Sequence, residues 1–134
     1  MAHSTVRTAF RTQLAAVLPA GWTYVETVNS TNHTDAGTKW ITMEFLGGVE
    51  RVVSIGGSGN NRHIEDGVVL IELRALIGAG HADLESACDT IRAGFRQFRS
   101  SHVKVYGVDP PLTLEDPPHY RAQIAVPYEF SNFG

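Results

Sequence analysis

Apolar residues recur at every third or fourth position between Ala82 and Arg99, a spacing that predicts an amphipathic helix. The residues on this apolar stripe are Leu84, Ala87, Cys88, Ile91, Phe95 and Phe98. The charges are sorted along the same segment: acidic side chains come first, and Arg92, Arg96 and Arg99 come last. That order complements the helix macrodipole at both ends. We therefore predict a helix over 82–99 that packs one face against the rest of the chain.

A second, shorter pattern of this kind opens the chain. Ser4 or Thr5 can cap a helix that runs to about Leu18, where Pro19 and Gly21 stop it. Its predicted buried face consists of Val6, Phe10, Leu14, Val17 and Leu18. The chain thus has two amphipathic helices, one at each side of a central segment.

The segments between and after the helices alternate between apolar and polar residues, which is typical of strands. The predicted strands are Trp22–Val28, Thr38–Leu46, Glu50–Ile55, Arg62–Ile77, His102–Val108 and His119–Phe130. Gly47-Gly48 is predicted to turn the chain between two of them. Within the fourth strand, five of the six residues of Val68–Leu73 are apolar, which favours a central strand covered on both faces. Pro127 has no amide hydrogen, so the last strand should end, bulge or lie at an edge there.

Three polar or glycine- and proline-rich segments separate the strands: 29–37, 56–61 and 109–118. The first two are predicted to be exposed and mobile loops, and the third a rigid connection. The pattern as a whole predicts one domain over 1–134, of α+β class. We expect a largely antiparallel or mixed β-sheet with both amphipathic helices packed on one face.

Composition excludes several classes of protein. With 134 residues, 43% of them hydrophobic and 19% charged, the chain can bury a core and does not resemble a disordered polyelectrolyte. A net charge of −3 gives no overall nucleic-acid footprint. The single cysteine, Cys88, lies on the apolar stripe and is predicted to be a small buried hydrophobe. Neither a membrane span nor a signal peptide is expected, because the apolar runs are too short.

The candidate chemical motifs each have a simpler structural explanation. The glycine-rich stretch Gly56–Gly59 leads into a strand, whereas a phosphate loop opens a helix. None of the six histidines is paired at a metal-ligand spacing, and the carboxylates of 83–89 and 115–116 are explained by the helix dipole and a loop. The sequence therefore predicts no catalytic residue, no cofactor-binding residue and no metal site, and the chain is not expected to be an enzyme.

The order of elements and two stretches carry a resemblance to a known family. Asp66–Leu73 (DGVVLIEL) is followed by the pattern DLExAxDxIxxxF over 83–95. Together they resemble the small tail-terminator and tail-completion proteins of long-tailed bacteriophages, which include minor tail protein U-like proteins and tail-to-head joining proteins. The resemblance covers most of the chain, from the first helix to the last strand.

The resemblance implies a structural virion protein and a ring-forming subunit, usually a hexamer. The ring would cap the head-proximal end of the tail tube, stop tube polymerisation and offer a joining surface to the head. Its partners would be further copies of this chain, the tail tube protein and a head–tail connector or neck protein. DNA would only pass through the lumen, and no membrane would be involved. The protein would be assembled in the host cytoplasm and end in the virion tail.

A ring subunit needs sheet edges and loops that can accept a neighbour. The predicted contact residues are Asn29, Asn32, Asp35, Gly57, Asn60, Asn61, Pro127 and Tyr128. Two alternatives stay open at this point. One is a head-completion or neck protein one ring higher, and the other is a small cytoplasmic ligand-binding or enzymatic α+β domain.

Overall fold

The fold combines two helices with one seven-stranded sheet within the residues that the structure describes. The computed structural model describes residues 4–24, 39–52, 61–76, 81–100, 102–116 and 119–133. The elements are α1 (Ser4–Val17), β1 (Thr23–Tyr24), β2 (Lys39–Val52), β3 (Arg62–Leu76), α2 (His81–Phe95), β4 (Arg99–Ser100), β5 (Val103–Lys104), β6 (Leu112–Asp116) and β7 (His119–Phe133). The sheet has the order β1-β2-β3-β7-β5-β4, and β6 pairs with β7 beside β5. All pairings are antiparallel except β1 with β2, so the predicted α+β class with a mixed sheet is confirmed.

Both helices pack on one face of this sheet, as predicted. Alternate residues of β3 and β7 point to that face and are buried; they are Val69, Ile71, Leu73 and Ala75 on β3, and Ala122, Ile124, Val126, Tyr128 and Phe130 on β7. The apolar stripes of α1 and α2 close over them. At the centre Phe10 of α1 stacks on Phe95 of α2, with ring centroids 5.3 Å apart. The apolar residues that alternate along the strands and those that form the helix stripes thus pack together in a single core.

The two helices approach each other closely at Gly94. A β-carbon at that position would lie 2.7 Å from a methyl group of Val17 on α1. The Gln13 side-chain amide donates a hydrogen bond to the Gly94 carbonyl at 2.6 Å. Because glycine has no side chain, it lets the α1 backbone come near enough for this contact.

The prediction that the second helix reaches Arg99 is wrong at its end. The helix ends at Phe95, and Gln97 adopts a left-handed backbone with φ of 59°. The reversal returns Phe98 onto the core, where its ring lies edge-on to Phe10 and Phe95. Phe98 therefore reaches the core because the chain reverses after the helix, and not because the helix continues.

The predicted turn at Gly47-Gly48 is also wrong. β2 continues through both glycines, and its register against β3 shifts there: Leu46 lies opposite Val68, and Val49 lies opposite Asp66. Two residues of β2 thus face one residue of β3, which is a β-bulge. A β-carbon on Gly48 would lie 1.4 Å from the Asp66 carbonyl oxygen, so this close strand contact requires glycine.

The strand bounds differ from the prediction in three further places. The connection 109–118 contains β6, which pairs with β7, and the strand predicted over 102–108 is reduced to β5. β7 extends beyond Phe130 to Phe133. Of the predicted strand 22–28 the structure describes residues 22–24, and β1 begins at Thr23. Val68–Leu73 does occupy a central strand, since β3 lies between β2 and β7.

Pro127 does not end the last strand; it lies where one side of β7 has no strand partner among the described residues. It pairs with Val68 of β3 on one side. On the other side β6 pairs with β7 up to Gln123 and β5 begins at Glu129. The backbone groups of Ala125 and Ser131 point to that second side, where they bond Asp109 and His102. By the same alternation the nitrogen of Pro127 faces this gap, so its missing N–H breaks no ladder bond.

Candidate subunit interface

One edge of the sheet continues into an arm, which we define as β2 residues 46–52 together with the β3 residues 62–68 that pair with them. The β3 half of the arm also pairs with β7 residues 127–133, so only its β2 half lies at the edge of the sheet. Its β2 half is exposed throughout, whereas Phe45 still contacts Phe10 in the core. In the part of the chain that the structure describes, β2 pairs with β1 only at Trp40 and Ile41. The outer side of β2 beyond Ile41 is therefore an open sheet edge there.

The opposite edge of the sheet, which we call the far edge, is formed by β4, β6 and the segment 105–111 between β5 and β6. Across the described residues, β4 pairs only with β5, and β6 only with β7. A sheet with two open edges on opposite sides can accept one neighbour at each side.

Large exposed apolar residues are confined to these two edges in the described part of the chain. Leu46, Val49 and Val52 lie on β2, and Tyr106 and Leu112 lie on the far edge. Val49 is 71% exposed, Tyr106 59% and Leu112 58%. The bulge has a direct effect on the first group, because it turns Leu46 and Val49 to the same face of the arm, opposite Val68 and Asp66. Exposed apolar residues that cluster rather than scatter are typical of interaction surfaces.

A groove of about 460 Å³ lies between the far edge and the centre of the sheet. Tyr106, Gly107, Val108 and Asp109 form one wall, and Asp66, Gly67, Pro127, Tyr128 and Glu129 form the other. The groove is located where β7 has no strand partner beside Pro127. Pro127, which the sequence predicts to lie at an edge, therefore borders the groove and is not enclosed by paired strands on both sides.

Tyr128 supports this groove from the core side. Its ring is buried and packs edge-on to Phe10, while its hydroxyl donates a hydrogen bond to Glu65 Oε2 at 2.9 Å. Burial, together with the hydrogen bond to the Glu65 carboxylate, raises the pKa of the Tyr128 phenol above its ordinary value. Gly67 lies directly opposite Tyr128, where a β-carbon would be 2.5 Å from the phenol oxygen. Tyr128 is thus a core residue that also lines the groove.

A paired charge cluster occupies the sheet face away from the helices. Glu72 bonds Arg74 Nε at 2.5 Å and accepts a hydrogen bond from Gln123 Nε2 at 3.2 Å. Arg121 Nε lies 3.6 Å from the same carboxylate. These side chains come from paired positions on β3 and β7, so one carboxylate neutralises part of two guanidinium charges. Glu72 is thus the shared partner of three neighbouring side chains on this face.

The predicted contact residues are only partly within the described chain. Asn29, Asn32, Asp35, Gly57 and Asn60 lie outside the described residues. Asn61 immediately precedes β3 at the end of the arm and is half-buried. Pro127 is exposed and Tyr128 is buried, and both line the groove. The structure thus brings two of the eight predicted residues together at one cleft.

Sequence reasoning missed the open edge of β2 and the far edge around Tyr106 and Leu112. The sequence pattern predicted Glu50–Ile55 as a separate strand after a turn. It therefore did not predict that β2 continues as one long strand into the arm. A usable signal was present in Leu46, Val49 and Val52, three apolar residues among charged neighbours on a segment rich in glycine. For Leu112 the flanking prolines concealed the strand.

Other kinds of site were sought across the described residues. No group of three or more His, Cys, Asp or Glu side chains there is placed to hold a metal ion. None of the described helices has the length and apolar character needed to cross a membrane. Cys88 is buried on α2, and burial, with a smaller contribution from Asp89, raises the pKa of its thiol to about 11.

Comparison with known proteins gives a fold and no family. No family model matches the chain, and no curated protein matches it either. One solved protein is similar over 96% of this chain and 95% of its own length, with a TM-score of 0.67 and 16% sequence identity. Its name is a bare sequence identifier and states no function. At that identity the similarity shows that the two chains share their overall fold.

Proposed function

We propose that this protein is a structural subunit that closes into a ring at the head-proximal end of a long phage tail tube. The ring would stop tube polymerisation and present a joining surface to the head. The observation that carries this proposal is the pair of sheet edges on opposite sides of one subunit that have no further strand partner among the described residues, each with exposed apolar residues. Two different edges can meet in a head-to-tail contact, which forms either a closed ring or a filament.

Two further features support a structural role over catalysis. Glu72, on the sheet face away from the helices, is paired with Arg74 and Arg121 and accepts a hydrogen bond from Gln123, so this charge cluster is occupied by its own contacts. The resemblance of 66–73 and 83–95 to tail-terminator proteins is the basis for proposing a location at the end of a tail tube. A ring that ends a tube requires matching subunit surfaces and no catalytic residue.

Deletion of the gene from the phage or prophage that encodes it tests this function. Electron micrographs should show overlong or headless tails, and the wild-type gene supplied in trans should restore normal tail lengths. Normal, joined particles without the protein would contradict the proposal. Tails of normal length that lack heads would indicate a neck protein one ring higher.

A further inference from the structure

We infer that a basic corner of this protein binds the phosphodiester backbone of duplex DNA. The basic corner consists of Arg96, which directly follows α2, Arg99 on β4 and Lys104 on β5. This inference rests on the proposed ring, through which DNA would pass, and it names the surface of the subunit that touches the DNA. The contact is to phosphate groups, so it requires no particular base sequence.

The fold brings the three basic residues together. Residues 90–108 include three arginines and one lysine and no acidic residue. Arg99 lies directly opposite Lys104 in the β4–β5 ladder. Arg96 precedes Arg99 by three residues, so their α-carbons are at most about 11 Å apart. The positive charges therefore form one cluster at the end of α2 and the adjoining corner of the sheet.

These three side chains differ from the basic side chains of the long strands in having no partner. Each lysine and arginine of β2, β3 and β7 is bonded within the chain; these residues are Lys39, Arg51, Arg62, Arg74 and Arg121. Across the described residues, none of Arg96, Arg99 and Lys104 has a carboxylate at ion-pair distance. A group of unpaired positive charges in one place favours an anionic partner from outside the chain.

The cross-strand pair of Arg99 and Lys104 is a separate argument for such a partner. Like charges directly opposite each other destabilise an antiparallel ladder. Because Val103 is buried in the core, Lys104 and its neighbour Arg99 lie on the other face of the sheet, away from the helices. A phosphate group between them would replace this repulsion with charge-assisted hydrogen bonds.

Tyr106 places an aromatic hydroxyl beside the same cluster. Its side chain is 59% exposed, and the Arg99 guanidinium carbon lies 5.4 Å from the centroid of its ring. Arginine, lysine and tyrosine side chains are all common hydrogen-bond donors to DNA phosphates. Donors on the end of α2, on β4 and after β5 suit a partner with several anionic groups in succession, as in a nucleic-acid backbone.

The net charge of −3 does not apply to this corner, because most of the acidic residues lie elsewhere. Glu129 is opposite Lys104 and is the acidic residue that the strand register places at the corner. β6, whose sequence contains two acidic residues, pairs with 119–123 at the other end of β7, about 30 Å along that strand from Glu129. Three basic residues beside one carboxylate leave the corner positively charged.

Binding of a short fluorescent DNA duplex to the purified full chain tests this inference. Fluorescence anisotropy is followed from about 50 to about 200 mM salt, with protein up to about 1 mM, above the dissociation constants of about 10⁻⁴–10⁻⁶ M that are usual for non-specific DNA binding. Arg96→Gln, Arg99→Gln and Lys104→Gln are tested singly and together. Arg51→Gln is the matched control, since it removes an exposed guanidinium that is paired with Asp66.

With three phosphate contacts, the affinity of the wild-type chain should fall about 40-fold over this salt range, because each contact adds about −0.9 to the log–log slope. Each single substitution should weaken binding and reduce the slope by about 1, and the triple variant should not bind. Arg51→Gln should leave affinity and slope unchanged. The inference is overturned by a wild-type chain that does not bind, or by an equal loss with Arg51→Gln. A polyglutamate peptide that displaces the DNA at equal charge would also overturn it, because the partner would then be an acidic protein.

These results separate the DNA surface from the proposed function. If the deletion gives overlong tails but the wild-type chain does not bind DNA, the role in the tail stands and the basic corner is not a DNA contact. If DNA binding depends on the basic corner and the deletion leaves particles normal, the DNA surface stands and the location in the tail is wrong.

Discussion

Replacement of Phe95 by alanine should remove a large part of the stability of the domain. Phe95 is fully buried on α2, stacks on Phe10 at 5.3 Å and lies edge-on to Phe98 at 5.8 Å. The variant keeps the helix but leaves a cavity between α1, α2 and the sheet. Phe95 and Phe10 form the stacked contact between the two helices, so the helix pair should loosen together.

The size of the effect follows from the burial. Loss of a fully buried phenylalanine side chain costs about 3–5 kcal/mol, and the stacked pair favours the upper part of that range. A chain of 134 residues unfolds with an entropy of about 0.28 kcal/mol/K, at about 2.1 cal/mol/K per residue. The melting temperature should therefore fall by about 11–18 °C.

Thermal and urea unfolding, followed by circular dichroism, measure this change. Phe98→Ala is the matched control, because Phe98 contacts the rings of Phe10 and Phe95 but is half-buried and lies after the helix. It should cost clearly less. If Phe95→Ala lowered the unfolding free energy by less than about 1 kcal/mol, the stripe would not be the core of the fold.

Three further predictions concern the arm, the helix contact and the thiol. Gly48→Ala should weaken subunit assembly and also lower the melting temperature, because its β-carbon would collide with the Asp66 backbone and break the β2–β3 pairing at the bulge; size-exclusion chromatography beside thermal melts checks this. Gly94→Ala should lower the melting temperature, as its β-carbon would press on Val17, and a larger residue at Ala93, which is exposed on the same helix, should not. The unfolding free energy should fall as pH rises from about 9 towards about 11, because the unfolded chain releases the Cys88 proton first; Cys88→Ala should flatten that part of a urea-unfolding profile.

The fold class was predictable from the sequence because its signals are local. The stripe from Leu84 to Phe95 and the alternation of Ile41, Met43 and Phe45 each set a period that one kind of element satisfies. The burial of Ile41, Met43, Leu84 and Phe95 confirms those periods. Such patterns depend on neighbours two to four positions away, which a single sequence displays directly.

The errors arose where the conformation of a residue is determined by contacts with a distant part of the chain. Gly47-Gly48 looks like a turn, yet Gly48 is needed because the Asp66 backbone comes close across the sheet. Gln97 takes a left-handed backbone conformation that its residue type does not predict. The packing of Phe98 on Phe10 stabilises the chain reversal there. Long-range contact overrides local preference at both positions.

The candidate site was harder to predict than the fold for the same reason. Pro127 was identified by its missing N–H, a property of one residue. The groove beside it and the far edge depend on where 105–112 crosses β7, which no periodicity encodes. Val49 and Leu112 lie on opposite edges of the sheet because of the strand order, and a single sequence does not show that order.

Electron microscopy of the purified protein, bound to tail tubes from the phage or prophage that encodes it, tests the ring most directly. With a gold label on the chain, we expect one closed ring of identical subunits at a single end of each tube, and no further growth when tube protein is added. Label along the whole tube, open filaments of the protein, or tubes that continue to grow with the protein bound would contradict the proposed role.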